Sequence, residues 1–257
     1  MHTGLSAMRG RSMCFSCGKT LTARELIPVL SYVLQRGRCR GCQAHISAQY
    51  PIVEAITAAL YGLVAYLSYI QYGLSMQGVA ALVFGFILMA LFVAIVVYDI
   101  QHQIIPDEYV LALVGVVLLA APFSLMRDFD GWRTYLDMFV SGVTVALPFV
   151  VLWVISKGKW IGLGDGKLAF VFGLLFPFPY AVSALVLAVW AGAVYGLSMI
   201  GLRKVLHTKY AFNSAIAFGP FLIAGALYIY IYPVDVLGIM MWHEIVSQSL
   251  TVSSSAL

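Results

Sequence analysis

The sequence predicts an all-α polytopic membrane protein of about seven transmembrane helices, preceded by a small zinc-knuckle module on the cytoplasmic side. Three observations lead there. Of the 257 residues, 62% are apolar and only 10% charged, with a mean hydropathy of +0.94; a soluble domain is usually about 45–50% apolar and about 25% charged. The apolar residues fall in runs near the roughly 20 residues that a helix needs to cross a bilayer. All four cysteines lie ahead of the first run, in a polar and basic stretch.

The order of elements follows from composition. Residues 1–49 hold the four cysteines and seven of the fifteen Lys and Arg, and lack an apolar core of signal-peptide type. The break falls at Tyr50-Pro51. Seven apolar segments follow, at about 50–70, 76–98, 107–126, 135–156, 166–177, 179–201 and 213–232. The fifth is short and runs into Pro177-Phe178-Pro179, so it either spans a thinned region or forms a broken hairpin with the sixth. Residues 243–257 read as a frayed tail. The expected division is a module over 1–49, a membrane domain over 50–242 and the tail, with no internal repeat evident. Aromatic residues such as Tyr50, Trp153 and Trp160 suit the membrane–water interface.

Charge sets the orientation. With 1–49 in the cytoplasm, alternation places 99–106, 157–167 and 202–212 there too. Thirteen Lys and Arg then lie inside and two, Arg127 and Arg133, outside. The positive-inside rule favours this arrangement. The net charge of +4 is modest, and a lipid bilayer rather than a nucleic acid is the expected partner.

Cys14-x-x-Cys17 and Cys39-x-x-Cys42 are separated by twenty-one residues. Two such knuckles form a four-thiolate tetrahedral zinc site, and a site closed by four protein ligands is structural. Two disulfides are the alternative, which a reducing cytoplasm disfavours. Lys19, Arg38 and Arg40 flank the thiolates and offset their charge. Pro28 to Arg36 suits a short helix stopped by Gly37. His45 is superfluous as a ligand.

Two aspartates stand at the ends of apolar segments, Asp99 in Y-D-I-Q-H-Q-I-I-P-D and Asp165 in G-L-G-D-G-K. Ionisable groups at membrane depth are costly and mark functional sites by default. Two carboxyls that meet can share a proton, one acting as acid and the other as base. Each has a plainer reading as a helix cap, and for either alone the cap is preferred. The pair shifts the balance, because the topology count puts both on one face without having used them. Gly162, Gly164 and Gly166 around Asp165 allow close backbone approach and unusual dihedrals, which a simple cap does not need. The stretch lacks the phosphate-loop pattern G-x-x-x-x-G-K-[ST].

Other polar residues have weaker claims. Asp107, after Pro106 and before Glu108, suits a helix start. Glu54 reads as an acid near a helix N-terminus, with contact to the cysteine module as the second reading. His102 and Gln103 stand near Asp99 and read as interfacial loop residues. Lys167 either holds Asp165 ionised or marks the cytoplasmic boundary.

Together, C-F-S-C, I-P-V-L-S-Y, R-G-R-C-R-G-C, Y-P-I-V-E, the Asp99 segment and G-L-G-D-G-K-L resemble the type IV prepilin peptidases, G-x-G-D-class membrane aspartic proteases. The resemblance runs from about Cys14 to beyond Lys167. It implies that Asp99 and Asp165 are the catalytic pair and that the four cysteines are the family's zinc knuckles. It also implies a multi-pass protein of the bacterial inner membrane, with its active site facing the cytoplasm. The implied substrates are type IV prepilin or pseudopilin precursors, cut after a Gly. Many members also methylate the new N-terminus with S-adenosylmethionine, a second activity that the residues here neither support nor exclude.

Family members usually begin with a further membrane helix, so eight spans are expected; only thirteen residues precede Cys14 here. Presenilin-like enzymes share Y-D and G-L-G-D but carry P-A-L in a late helix, where this chain has Phe218-Gly219-Pro220. Two rivals from other classes remain. A proton-coupled transporter would predict repeats and a midplane site. A non-catalytic receptor docking through its zinc module would leave both aspartates as caps.

Overall fold

The structure is a computed structural model that describes residues 11–123, 129–206 and 217–240. The tail 243–257, Arg127 and most of the 202–212 loop lie outside the described residues. The chain divides into two compact units, Met1–Tyr66 and Leu67–Leu257. The boundary expected at residue 49 therefore falls later, inside the first long helix.

In the first unit, a 3-10 turn at Ala23–Glu25 is followed by α1 (Leu30–Leu34), and α2 (Gln49–Tyr72) begins where the composition breaks. Gly37 ends the α1 region at φ +67, a backbone conformation that glycine adopts without strain. The Tyr32 ring lies over it, so a Cβ there would stand 2.9 Å from the phenol oxygen. Glu54, in the second turn of α2, accepts the Val29 backbone N–H at 2.7 Å. The reading of Glu54 as a plain N-terminal acid gives way to its second reading: it fastens the segment between the knuckles onto α2. Val29 needs such a hold, because it is β-branched and sits at φ +58.

The second unit takes in the end of α2 and is a helical bundle of α3 (Met76–His102), α4 (Asp107–Ala120), α5 (Trp132–Ser156), α6 (Leu163–Leu175), α7 (Phe178–Leu206) and α8 (Gly219–Ile231). Among the described residues there is no strand, only two isolated bridges in the first unit. Four helices are long and apolar enough to cross a membrane: Gln49–Tyr72, Met76–His102, Trp132–Ser156 and Phe178–Gly201. The protein is thus an integral membrane protein. The three other expected spans form as helices of only 14, 13 and 13 residues. At 1.5 Å per residue these reach about 20 Å, short of a hydrocarbon core of about 30 Å. The expected hairpin at Pro177 forms, with Phe176 extended between α6 and α7.

In lipid, helices associate through close packing more than through the hydrophobic effect, and small residues let backbones approach. Two contacts show this. A Cβ on Gly173 of α6 would lie 2.5 Å from the Gly142 Cα of α5. A Cβ on Gly225 of α8 would lie 2.3 Å from the Ala184 carbonyl oxygen of α7. Phe92, Leu168, Phe172 and Leu222 are buried in the interior that these contacts close.

Candidate active site and metal centre

Asp99 lies in the last turn of α3 and is 5% exposed. Gln103 ends that helix in the left-handed conformation and donates its N–H to the Asp99 carbonyl oxygen at 2.7 Å. The expectation that Asp99 might cap the next helix is half right. Its carboxylate does meet a helix N-terminus, but that of α8, 120 residues away, where Gly219 N–H donates to Oδ2 at 2.9 Å. The sequence reading used Phe218-Gly219-Pro220 only as a contrast with another family. It missed Gly219, whose one local signal is a glycine placed before a proline at a helix start.

Asp165 is half-buried in the first turn of α6, and its carboxyl reaches back to the Gly162 N–H. That is the acidic half of a capping box, so its cap reading also holds. The glycines serve close approach and not unusual dihedrals. Gly162 is extended at φ −76. A Cβ on Gly164 would stand 3.1 Å from the Ile105 Cβ, and one on Gly166 would stand 3.3 Å from the Phe149 Cβ. Buried Ile105 belongs to the α3–α4 loop, so its packing on Gly164 draws the Asp99 and Asp165 segments together.

The result is one cavity at the ends of α3, α4, α6 and α8, with Asp99, Gln103, Asp107, Asp165, Lys167 and Phe218 among its lining residues. Asp165 lies within reach of the charge on Asp99. Lys167 neither pairs with Asp165 nor stands alone; it forms an ion pair with Asp107 at the first turn of α4. Asp107 does start its helix, as expected, and also tethers α4 to α6. His102 is exposed and stacks its ring on Tyr98, at 4.4 Å between centroids.

The cysteines form a second centre, in the first unit. Each knuckle is the same small turn. Cys14 N–H donates to Lys19 O and Gly18 N–H to Cys14 O, both at 2.9 Å; Cys39 N–H donates to Ala44 O and Gln43 N–H to Cys39 O, again at 2.9 Å. The residue after each second cysteine has positive φ, Gly18 at +70 and Gln43 at +59. The knuckles therefore repeat one geometry that the sequence reading did not register as a repeat.

All four sulfurs lie within 4.8 Å of one another, positioned to hold a metal ion. Four thiols this close cannot all ionise without a cation. Backbone N–H groups of Cys17 and Ser16 draw Cys14 down to about 6. At Cys42 the Ala44 N–H acts the same way, but desolvation and hydrogen bonds to the other cysteines prevail and push it up to about 11. His45 is outside the cluster, paired by backbone with Arg38. Buried Glu25 braces the first knuckle by accepting from Lys19 Nζ at 2.8 Å and from the Thr22 N–H at 2.9 Å.

Fold and site together define a polytopic helical membrane protein with a carboxyl pair in one cavity and a cysteine metal-binding module. Residues 2–68 match the Bacterial Peptidase A24 N-terminal domain, and residues 86–197 match the type IV leader peptidase family. Several relatives carry the name prepilin leader peptidase/N-methyltransferase. One, from Bacillus subtilis, is 32% identical over 228 residues, covering 89% of this chain and 84% of its own. A second, from Aeromonas salmonicida, is 33% identical over 84% of this chain and 69% of its own; a third, from Pseudomonas aeruginosa, is 32% identical over 83% and 69%. No solved structure matches significantly. The chain belongs to the type IV leader peptidase family and is a membrane protease. The transporter and receptor readings are set aside.

Proposed function

We propose that this protease removes the leader peptide of type IV prepilins or pseudopilins, using Asp99 and Asp165 as its catalytic pair. The observation that carries the reading is the convergence of two carboxyls, from segments 66 residues apart, on one cavity. The substrate presents a short basic leader, a Gly and an apolar helix lying in the bilayer. Its leader stays on the cytoplasmic side of the inner membrane by the same charge rule that orients the enzyme. The cut falls near the interface, where water is available. One carboxylate takes a proton from the attacking water, and the other carboxyl gives a proton to the carbonyl oxygen and then to the leaving amine. The pair titrates as a unit and can exchange roles between steps.

In the module, Cys14, Cys17, Cys39 and Cys42 would hold a structural Zn2+. Zinc–thiolate bonds of about 2.3 Å in a tetrahedron separate the sulfurs by about 3.8 Å. The Cys14 and Cys42 Sγ atoms are 3.9 Å apart, so the donor set fits. Bound zinc would replace the shared thiol protons and tie the two knuckles together.

The test is cleavage of a model preprotein in membranes containing wild type, Asp99→Asn or Asp165→Asn. Each substitution is expected to abolish cleavage while the protein stays in the membrane, because an amide cannot serve as a general base. Near wild-type processing by either variant would sink the assignment. Adding S-adenosylmethionine to the same reaction reads whether the new N-terminus is also methylated, as the relatives' name says of them.

A further inference from the structure

We infer that Gly219, through its backbone N–H and its missing side chain, is the positioning residue for Asp99. The inference rests on the catalytic reading of Asp99 and adds how that carboxylate is held.

The N-terminus of α8 has few amide donors to offer, and they can be followed one by one. Pro220 has no N–H. Phe221 and Leu222 both donate to the Phe218 carbonyl oxygen, at 3.0 and 3.1 Å. Gly219 donates to Asp99 Oδ2 at 2.9 Å, where both residues are buried. The positive end of a 13-residue helix is thus delivered to a single carboxylate oxygen. Asp99 Oδ1 is left for chemistry in the cavity.

The second observation is steric. A Cβ on residue 219 would lie 2.6 Å from Asp99 Oδ2 and 3.2 Å from its Cγ. Any side chain would drive the carboxylate off its donor. Glycine at 219 is therefore required by the carboxylate and not by the backbone, since its φ is not positive. Pro220 favours the entry to α8 with a preset φ, which stiffens the donor's approach.

Steady-state cleavage by the full-length protein in membranes or proteoliposomes tests this with four variants. Gly219→Ala is expected to lower kcat at least tenfold, about 1.4 kcal/mol in the barrier, with KM little changed. It is also expected to alter the acidic limb of the kcat–pH profile. Gly225→Ala, two turns along α8 against Ala184, is expected to lower the amount of folded protein while kcat per folded enzyme and the pH profile stay as in wild type. Glycolic acid in place of Gly219, introduced by nonsense suppression, removes the N–H without adding a methyl group and covers the case in which Gly219→Ala does not fold. It is expected to reproduce the kcat loss and the altered profile. Asp99→Asn separates the two levels of the argument. If Asp99→Asn is inactive but the glycolic acid variant keeps wild-type kcat and pH profile, the positioning role of Gly219 is wrong and the catalytic assignment stands. If Asp99→Asn is active, the catalytic assignment itself fails, and this inference with it.

Discussion

Replacing Gly173 by alanine places a methyl group where the backbone of α5 already lies. The new Cβ would stand 2.5 Å from the Gly142 Cα, 2.6 Å from the Gly142 N and 2.7 Å from the Ser141 carbonyl carbon. Carbon atoms are at ease about 3.5–4.0 Å apart, so α5 and α6 must part by about 1 Å. None of these atoms belongs to a side chain that could swing aside. Overpacking of this kind costs about 1–3 kcal/mol, against a helix-propensity gain of up to about 1 kcal/mol for Gly→Ala. The expected net is a loss of about 1–2 kcal/mol. Gly115→Ala in α4 is the counterpart, since no atom lies within 4 Å of its Cβ; only the propensity gain remains, so stability should rise. Reversible unfolding in detergent micelles titrated with SDS, followed by tryptophan fluorescence, measures both. Asp165 sits in the first turn of α6, so a shift of that helix should also slow cleavage, by up to the order of 10²-fold for a 1 Å misplacement. A Gly173→Ala protein as stable as wild type would refute the close approach of α5 and α6.

Elemental analysis of protein purified without chelator should find one zinc per chain, and Cys14→Ser or Cys39→Ser should lower that content and loosen the module, since metal binding and folding are coupled. Asp107→Asn should cost at most about 1 kcal/mol and leave cleavage within a few-fold of wild type, because its pair with Lys167 is 66% and 36% exposed and such pairs contribute about 0–1 kcal/mol; loss of all cleavage would give Asp107 a chemical role. The Lys19 ammonium, with help from the Thr22 N–H, holds the Glu25 carboxyl at about 2 against a usual 4.5. A folded-state value below the unfolded one means that its stabilisation is complete above pH 4.5 and is lost as pH falls from there toward about 2. Denaturation measured across that window should show wild type converging on Glu25→Gln, and a constant gap between them would contradict the pairing.

The readable parts of this protein were local. A run of apolar residues becomes a helix wherever it lies, because lipid leaves backbone groups no partner but their own chain. All seven expected segments are helical over their described residues for that reason. A C-x-x-C turn carries its own geometry in a handful of hydrogen bonds, so spacing alone located the four sulfurs that the structure brings within 4.8 Å. Charge counting over loops placed Asp99 and Asp165 on one face before any packing was known, and they line one cavity.

Tertiary structure decided what depends on two distant segments at once. Glu54 had an adequate local explanation, and only the fold shows it holding the Val29 amide. Lys167 stood two residues from Asp165, yet pairs with Asp107, sixty residues away, because the starts of α4 and α6 meet. Gly164 looked like a source of backbone freedom and is in fact a flat surface for Ile105. The sequence by itself determined that the chain is a helical membrane protein with a four-cysteine module and a candidate carboxyl pair, because periodicity, spacing and charge are properties of neighbours along the chain. Only the tertiary structure decided that a helix 120 residues away ends on Asp99, because a hydrogen bond between segments depends on the packing of the helices that carry them.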